Sequence, residues 1–278
     1  MAQASRATLW SSAYESKLMR RVQLFEFLDQ SWLPGRLRAS ATRYLAAAHA
    51  TTPFPALWAA ILARVLEQCR VDRIVDLGSG SGGPMEVVLV ELAKLGHTPQ
   101  VTLTDLHPLP SASTFSTPAI HYWPEPVSAA TVPPQLQGLR TLFLSFHHFA
   151  PPMARAVLQD AFRQRQAICI FEATSRTVPA VAASFLIPIL VLLLTPSVRP
   201  LAMFQGIFTY LIPVIPLLAF WDGFVSQLRT YSMTELKDLA ADFTDPEYEW
   251  DCGFIKAKGI PFKTSYLIGR PTLVARDR

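Results

Sequence analysis

The run Ile74–Pro84 (Ile-Val-Asp-Leu-Gly-Ser-Gly-Ser-Gly-Gly-Pro) constrains the fold more than any other stretch of this chain. Ile74 to Leu77 has the apolar character of a short strand. The glycines that follow, Gly78, Gly80, Gly82 and Gly83, permit the positive φ of a tight strand-to-helix turn and let the backbone approach a ligand. Pro84 suits the first turn of the next helix. A strand, a glycine loop and a helix in that order predict a nucleotide-type ligand site in an α/β domain.

Gly78, Gly80 and Gly83 also satisfy the G-x-G-x-x-G spacing of a dinucleotide site, so the glycines alone leave a nicotinamide-dependent oxidoreductase open. Asp76 weighs against it. A carboxylate at the end of the strand, just before the first glycine, suits a ligand carrying an ammonium better than one carrying a pyrophosphate. Val101–Asp105 reads as the next strand, and its terminal Asp105 lies about 20 positions past the loop, where an acid can accept both ribose hydroxyls. Between them Met85, Val88, Leu89, Leu92 and Leu95 recur at helical spacing.

This D-L-G-S-G-S-G form, with the second acid in place, resembles the first motifs of class I S-adenosylmethionine-dependent methyltransferases. The chain is also similar to an uncharacterised bacterial group of them that shares the F-H-H-F and W-D-G-x-V-S-x-L-R-x-Y segments. The resemblance covers about residues 71–269. It implies a Rossmann-like sheet, S-adenosyl-L-methionine as cofactor, and cofactor contacts from Asp76, Gly78, Ser79, Gly80, Gly82, Asp105, Leu106, Ser128 and Ser145. An adenine contact after the third strand falls to Glu125 or Ser128.

Ala119–Trp123, Thr141–Ser145 and Ala167–Glu172 read as further parallel strands, and Tyr248–Lys256 with Thr264–Gly269 as a final pair. Ligands of open α/β sheets bind outside the carboxyl ends of strands, which places His147 and His148 beside the cofactor. Either imidazole can take a proton from a hydroxyl or thiol, so both are catalytic candidates. Glu172, at the end of the fifth strand, is a substrate or positioning candidate.

Three helices are expected in residues 1–70 as an amino-terminal cap. The first has a stripe of Leu18, Val22, Phe25, Leu28 and Trp32 and ends at Pro34-Gly35; the second carries Leu37, Ala41, Tyr44 and Ala48; the third carries Trp58, Ile61, Leu62, Val65 and Cys69. Residues 71–278 would form the methyltransferase domain, interrupted by an apolar insertion at 177–222. Trp32 on the cap, with Asp222, Arg229 and Tyr231 beyond the insertion, are substrate-binding candidates. Ser232 and Glu235 form a capping box for a following helix.

Half of the residues are hydrophobic, 17% are charged, and the mean hydropathy is +0.25, an apolar balance. Thr177–Val198 and Pro200–Trp221 contain no charged residue, and each run is about 20 residues long, enough to span a bilayer. Pro188, Pro196, Pro213 and Pro216 interrupt them, and Arg199 separates them, so a hairpin that dips into or lies on one leaflet is expected rather than a spanning pair, with a buried pair of lid helices over the cofactor domain as the alternative. A lipophilic small-molecule acceptor and a membrane surface contacted through 178–220 follow as expected partners. A lipid-binding or scaffold protein on a degenerate methyltransferase fold is the alternative from another class.

The net charge of +4 comes without a Lys/Arg tract, which gives no sign of nucleic-acid binding. Cys69, Cys169 and Cys252 are odd in number and far apart, fitting neither a disulfide framework nor a metal knuckle, so they are expected to be buried and no metal is expected. Residues 1–12 lack an apolar core with a cleavage site, which predicts a cytoplasmic protein, peripheral or monotopic at the inner membrane face.

Overall fold

A computed structural model describes residues 18–108, 115, 117–198, 203–257 and 263–272. The chain divides into two compact units, one built from residues 49–173 with 237–278 and the other from residues up to 48 with 174–236. Arg199 and residues 1–12 lie outside the described residues.

In the first unit α2 (Phe54–Cys69) leads into β1 (Arg73–Leu77), α3 (Met85–Lys94), β2 (Gln100–Thr104), β3 (Ile120–Tyr122), β4 (Leu139–Phe143), α4 (Pro151–Arg163) and β5 (Ile168–Glu172); α1 (Gly35–Ala50) belongs mainly to the other unit. After the second unit intervenes, β6 (Tyr248–Lys256) and β7 (Lys263–Pro271) complete one seven-stranded sheet. Its order is β3-β2-β1-β4-β5-β7-β6, with β1 to β5 parallel and β7 antiparallel to both β5 and β6. The strand order reverses between β1 and β4, so a crevice at their carboxyl ends is the topological switch point of the sheet.

The apolar strands β4 and β5 are buried along their whole length, as parallel strands covered on both faces must be. The core packs α2 and α3 against the sheet. Trp58 is fully buried, tilted against Phe143 and Phe171 at 5.5 and 5.9 Å between ring centroids. This packing places α2 with the sheet, in the unit of residues 49–173. Cys169 is buried as expected, whereas Cys69 and Cys252 are only partly so.

The second unit holds α1, and after residue 174 a succession of short helices: α5 (Val178–Ala183), α6 (Ile187–Leu194), α7 (Met203–Gly206), α8 (Val214–Arg229) and the start of α9 (Met233–Ala240). Single 3₁₀ turns at Ser184–Leu186 and Thr195–Ser197 join and follow α5 and α6, and a π turn at Ile207–Leu211 follows α7. The capping box forms as its spacing predicts: the Ser232 N–H donates to Glu235 at 2.7 Å, and the Glu235 N–H donates to the Ser232 hydroxyl at 3.1 Å.

The expected helix over 18–32 is absent. Leu18 makes an antiparallel bridge to Thr177, and the Met19 and Val22 N–H groups donate to the carbonyls of Arg176 and Leu228. Only Phe27–Asp29 coils, as one 3₁₀ turn. Long-range hydrogen bonds satisfy this backbone, so the three-and-four spacing of its apolar residues does not produce a helix.

Candidate functional site

The site is built at the carboxyl ends of β1, β2, β4 and β5. Asp76 sits within β1, buried, in register with Leu103 of β2 and Thr141 of β4. The Thr141 hydroxyl donates to its carboxylate at 2.6 Å. Burial pushes the Asp76 carboxyl up to about 7, against the lowering effect of the Thr141 and Ser79 hydroxyls and with a further rise from the nearby Asp105 charge. The Asp76 carbonyl accepts from the hydroxyls of Ser79 and Thr104, at 2.9 and 2.8 Å, which ties the loop to β2.

Gly80, half-buried and at φ +54°, has open space where a Cβ would stand. Its N–H donates to Asp105 Oδ2 at 2.8 Å, and the His107 N–H donates to the other oxygen at 2.8 Å. Asp105 therefore orders the loop itself, and its remaining lone pairs stay available to ribose hydroxyls. Gly82, at φ +104°, has no alternative residue: a Cβ there would come within 2.8 Å of the Phe115 ring.

Val127 donates its N–H to the Asp105 carbonyl at 2.9 Å, which brings Ser128 beside the end of β2. The Ser128 hydroxyl accepts the Ala130 N–H at 3.3 Å. Leu106 follows Asp105 and is exposed. Glu125 is exposed.

β4 ends at Phe143, two residues earlier than expected, because Leu144 adopts a left-handed conformation at φ +56°. Such strain in a non-glycine residue persists only where its surroundings enforce it; here the Leu144 N–H donates to the Phe171 carbonyl at 2.8 Å. The turn sends Ser145 toward the glycine loop. Its Oγ is buried without a hydrogen-bond partner and lies 3.7 Å from the place a Gly78 Cβ would take.

A 3₁₀ turn at Phe146–His148 follows. His147 is buried, with Nδ1 2.8 Å from Glu172 Oε2, and its own N–H donates to Glu172 Oε1 at 2.9 Å. Burial alone would raise the Glu172 carboxyl; the charge of His147 and these two hydrogen bonds outweigh it and hold the group below its ordinary range. An ionised carboxylate only accepts, so Nδ1 presents its proton to Glu172. His148 stacks on His147 with centroids 4.4 Å apart. Glu172, expected among the substrate contacts, turns both oxygens to His147.

The remaining substrate candidates all lie in the second unit. The Asp222 carboxylate accepts the N–H groups of Phe27 and Leu28 at 2.7 and 3.0 Å. Arg229 pairs with Glu26 and Asp29 at 3.0 and 2.8 Å, and the Tyr231 ring carries the Arg21 guanidinium 4.2 Å from its centroid. Trp32 is exposed, its ring perpendicular to that of Phe27. Thr141, Tyr122, whose hydroxyl donates to the Gly80 carbonyl at 3.1 Å, and Leu144 were not among the expected site residues. For Thr141 the signal was its place on the strand that pairs with β1.

No protein-family model matches the chain, and no curated protein matches its sequence. Among solved structures the chain is similar to the CMeT domain of a citrinin polyketide synthase, at TM-score 0.51 and 15% identity over 88% of this chain and 59% of that one. Weaker likenesses include the methyltransferase domain of bacterial CtHen1, at TM-score 0.44 and 12% identity over 76% of this chain and 96% of that one. LepI in complex with S-adenosylmethionine gives TM-score 0.44 and 17% identity over 72% of this chain and 43% of that one. The chain thus spans less than two thirds of the synthase domain and LepI chains. The sheet order and the likeness to the CMeT domain together give this chain the fold of the class I S-adenosylmethionine-dependent methyltransferases.

Proposed function

We propose that the protein is an S-adenosylmethionine-dependent methyltransferase of a small lipophilic acceptor, working on the cytoplasmic side at a membrane surface. The observation that carries the reading is the pair of carboxylates, Asp76 and Asp105, held beside a glycine loop in which Gly80 has open space where a Cβ would stand. The residues fit the cofactor. Asp76 would hold its ammonium, Asp105 its ribose, Ser128 its adenine edge, and the unpartnered Ser145 hydroxyl supplies one more polar contact beside Gly78.

The cofactor supplies a methyl group on a sulfonium, already an excellent leaving group, so the protein's task is mainly alignment. For a hydroxyl or thiol acceptor, His147 Nε2 takes the proton that the acceptor loses as its new bond to carbon forms. Glu172 fixes the tautomer and stabilises the resulting imidazolium.

Calorimetry with S-adenosylhomocysteine tests the cofactor: binding to the intact protein is expected, and NAD(H) or NADP(H) binding in its place would assign the loop to an oxidoreductase. The exposed apolar residues of the second unit favour one other reading, a lipid-binding scaffold on a methyltransferase fold. Incubation with methyl-labelled cofactor and a lipid extract separates the two, since a scaffold transfers no label.

A further inference from the structure

The apolar insertion is inside out. Among its polar side chains Thr195, Gln205 and Thr209 are completely buried and Ser184 nearly so, while Leu193 is 70% exposed, Leu211 76% and Met203 81%. Phe185, Leu190 and Leu217 are likewise more than half exposed. A lid in water would show the reverse, polar groups outward and large apolar groups inward. Hydrocarbon imposes the observed order, because there polar side chains must find their partners within the protein.

Thr195 and Thr209 have such partners, whereas both side-chain polar atoms of Gln205 are buried without one. The Tyr44 hydroxyl, from α1, hydrogen-bonds Thr195 at 2.7 Å and Thr209 at 3.2 Å, and Thr195 also donates to the Val191 carbonyl at 2.7 Å. Two contacts tie outward residues to their neighbours: Phe185 lies 5.1 Å from Phe220 between centroids, and the Tyr210 hydroxyl donates to the Leu192 carbonyl at 2.8 Å.

Length alone admits a spanning helix, since Val178–Ser197 covers 20 residues at a hydropathy of 2.5. The packing does not. The second leg bends by 74° between Met203–Leu211 and Val214–Arg229. α1, which carries Arg36, Arg38 and Arg43, packs Leu37, Tyr44 and Ala47 along the insertion against Val191, Val198 and Ile215. A charged helix lying along the hairpin leaves only one side for lipid.

Charge selects the lipid. Every described carboxylate of this unit is engaged internally: Glu26 and Asp29 by Arg229, Asp222 by two backbone N–H groups, Glu235 by Arg176. Arg20, Arg36 and Arg43 are exposed and have no ion pair among the described residues. Basic groups beside an inserted apolar face attract anionic headgroups, by about 1 kcal/mol each.

We infer that the described residues of the insertion, 178–198 and 203–220, insert into a single leaflet of an anionic bilayer, with the exposed apolar side chains in the acyl region and Arg36 and Arg43 of α1 at headgroup level. The inference specifies the membrane side of the proposed function, yet it stands on this unit alone.

The test is flotation of the full chain with vesicles of phosphatidylcholine, with and without phosphatidylglycerol, beside calorimetry with S-adenosylhomocysteine on the same samples. The chain is expected to float with both vesicles and more strongly with the anionic ones. Leu190→Asp/Leu193→Asp/Leu211→Asp should reduce flotation at least about tenfold, the loss expected from one leucine no longer buried. Single Leu193→Asp, which alters only an exposed side chain, gives a smaller loss in the same direction and serves if the triple variant does not fold. Arg36→Glu/Arg43→Glu should abolish only the preference for anionic lipid. A wild-type chain that binds the nucleoside but stays at the bottom of the gradient overturns the inference, as does a stable dimer that ignores vesicles. Flotation without nucleoside binding would instead overturn the cofactor reading and leave this one standing.

Discussion

Nδ1 of His147 lies 2.8 Å from one oxygen of Glu172, while the other oxygen accepts the backbone N–H of the same histidine at 2.9 Å. One carboxylate thus fixes both the position and the tautomer of the ring. Glu172→Gln keeps an acceptor for the backbone N–H, but its amide NH₂ can donate to Nδ1 and drive the proton to Nε2. Turnover of a hydroxyl acceptor should fall by about 10²- to 10⁴-fold, the usual worth of a general base. KM and the affinity for S-adenosylhomocysteine should stay unchanged. If the pair were only structural, the variant would lose thermal stability and keep its kcat.

Asp105 has two tasks, ordering Gly80 and His107 through their N–H groups and, in the proposed complex, accepting ribose hydroxyls. Asp105→Ala removes both. Hydrogen bonds to a charged acceptor contribute about 1.5–3 kcal/mol each, so affinity for S-adenosylhomocysteine should fall by at least about 10-fold. Asp105→Asn, which retains acceptor capacity at one atom, should lose less. Titration calorimetry reads both.

Asp76 gives the protein a pH dependence with a definite sign. Its carboxyl titrates near 7 in the folded chain against an unfolded value of about 3.9. The folded state therefore holds the proton more tightly, and this group's contribution to stability declines as pH rises from about 4 to about 7. A bound ammonium favours the ionised form, so cofactor affinity should increase as pH climbs through this window. Asp76→Asn should flatten both trends, and Thr141→Val, by removing a hydrogen bond to the charged form, should shift them upward. Thermal melts and calorimetry across pH 5 to about 8 check the three chains.

The glycine loop and both acids were legible because each is a local pattern: strand, positive-φ turn, helix, and an acid at the next strand's end. Thr141 was not, because its bond to Asp76 depends on the register of two strands far apart in sequence. Residues 18–32 misled for a related reason. Their apolar spacing suits a helix, but carbonyls of Arg176 and Leu228 and the carboxylate of Asp222 claim their N–H groups. Asp222 and Arg229 stood at the right place in sequence for a substrate head, yet position does not reveal a partner 195 or more residues away. The absence of charge in the insertion was visible from composition alone. That Thr195, Gln205 and Thr209 turn inward needed the packing.

Arg140 stands at 0% exposure within β4, the strand that delivers Ser145 and His147 to the site. Its Nη1 donates to Asp160 of α4 at 2.8 Å, while Nε and Nη2 are buried without hydrogen-bond partners. Burial lowers the Arg140 pKa, and Asp160 counters it. Asp160 is committed elsewhere too, accepting the Val132 N–H at 3.3 Å and the Gln164 side chain at 3.1 and 3.2 Å. Breaking a buried pair from one side leaves a charge without its counterpart, so Asp160→Asn should destabilise the fold by about 3–5 kcal/mol. Arg140→Met removes the charge and keeps most of the volume, and the double variant Arg140→Met/Asp160→Asn should recover much of that loss. Urea denaturation of the four chains measures the coupling. The pair lies away from the glycine loop, so protein that remains folded should bind S-adenosylhomocysteine with unchanged affinity.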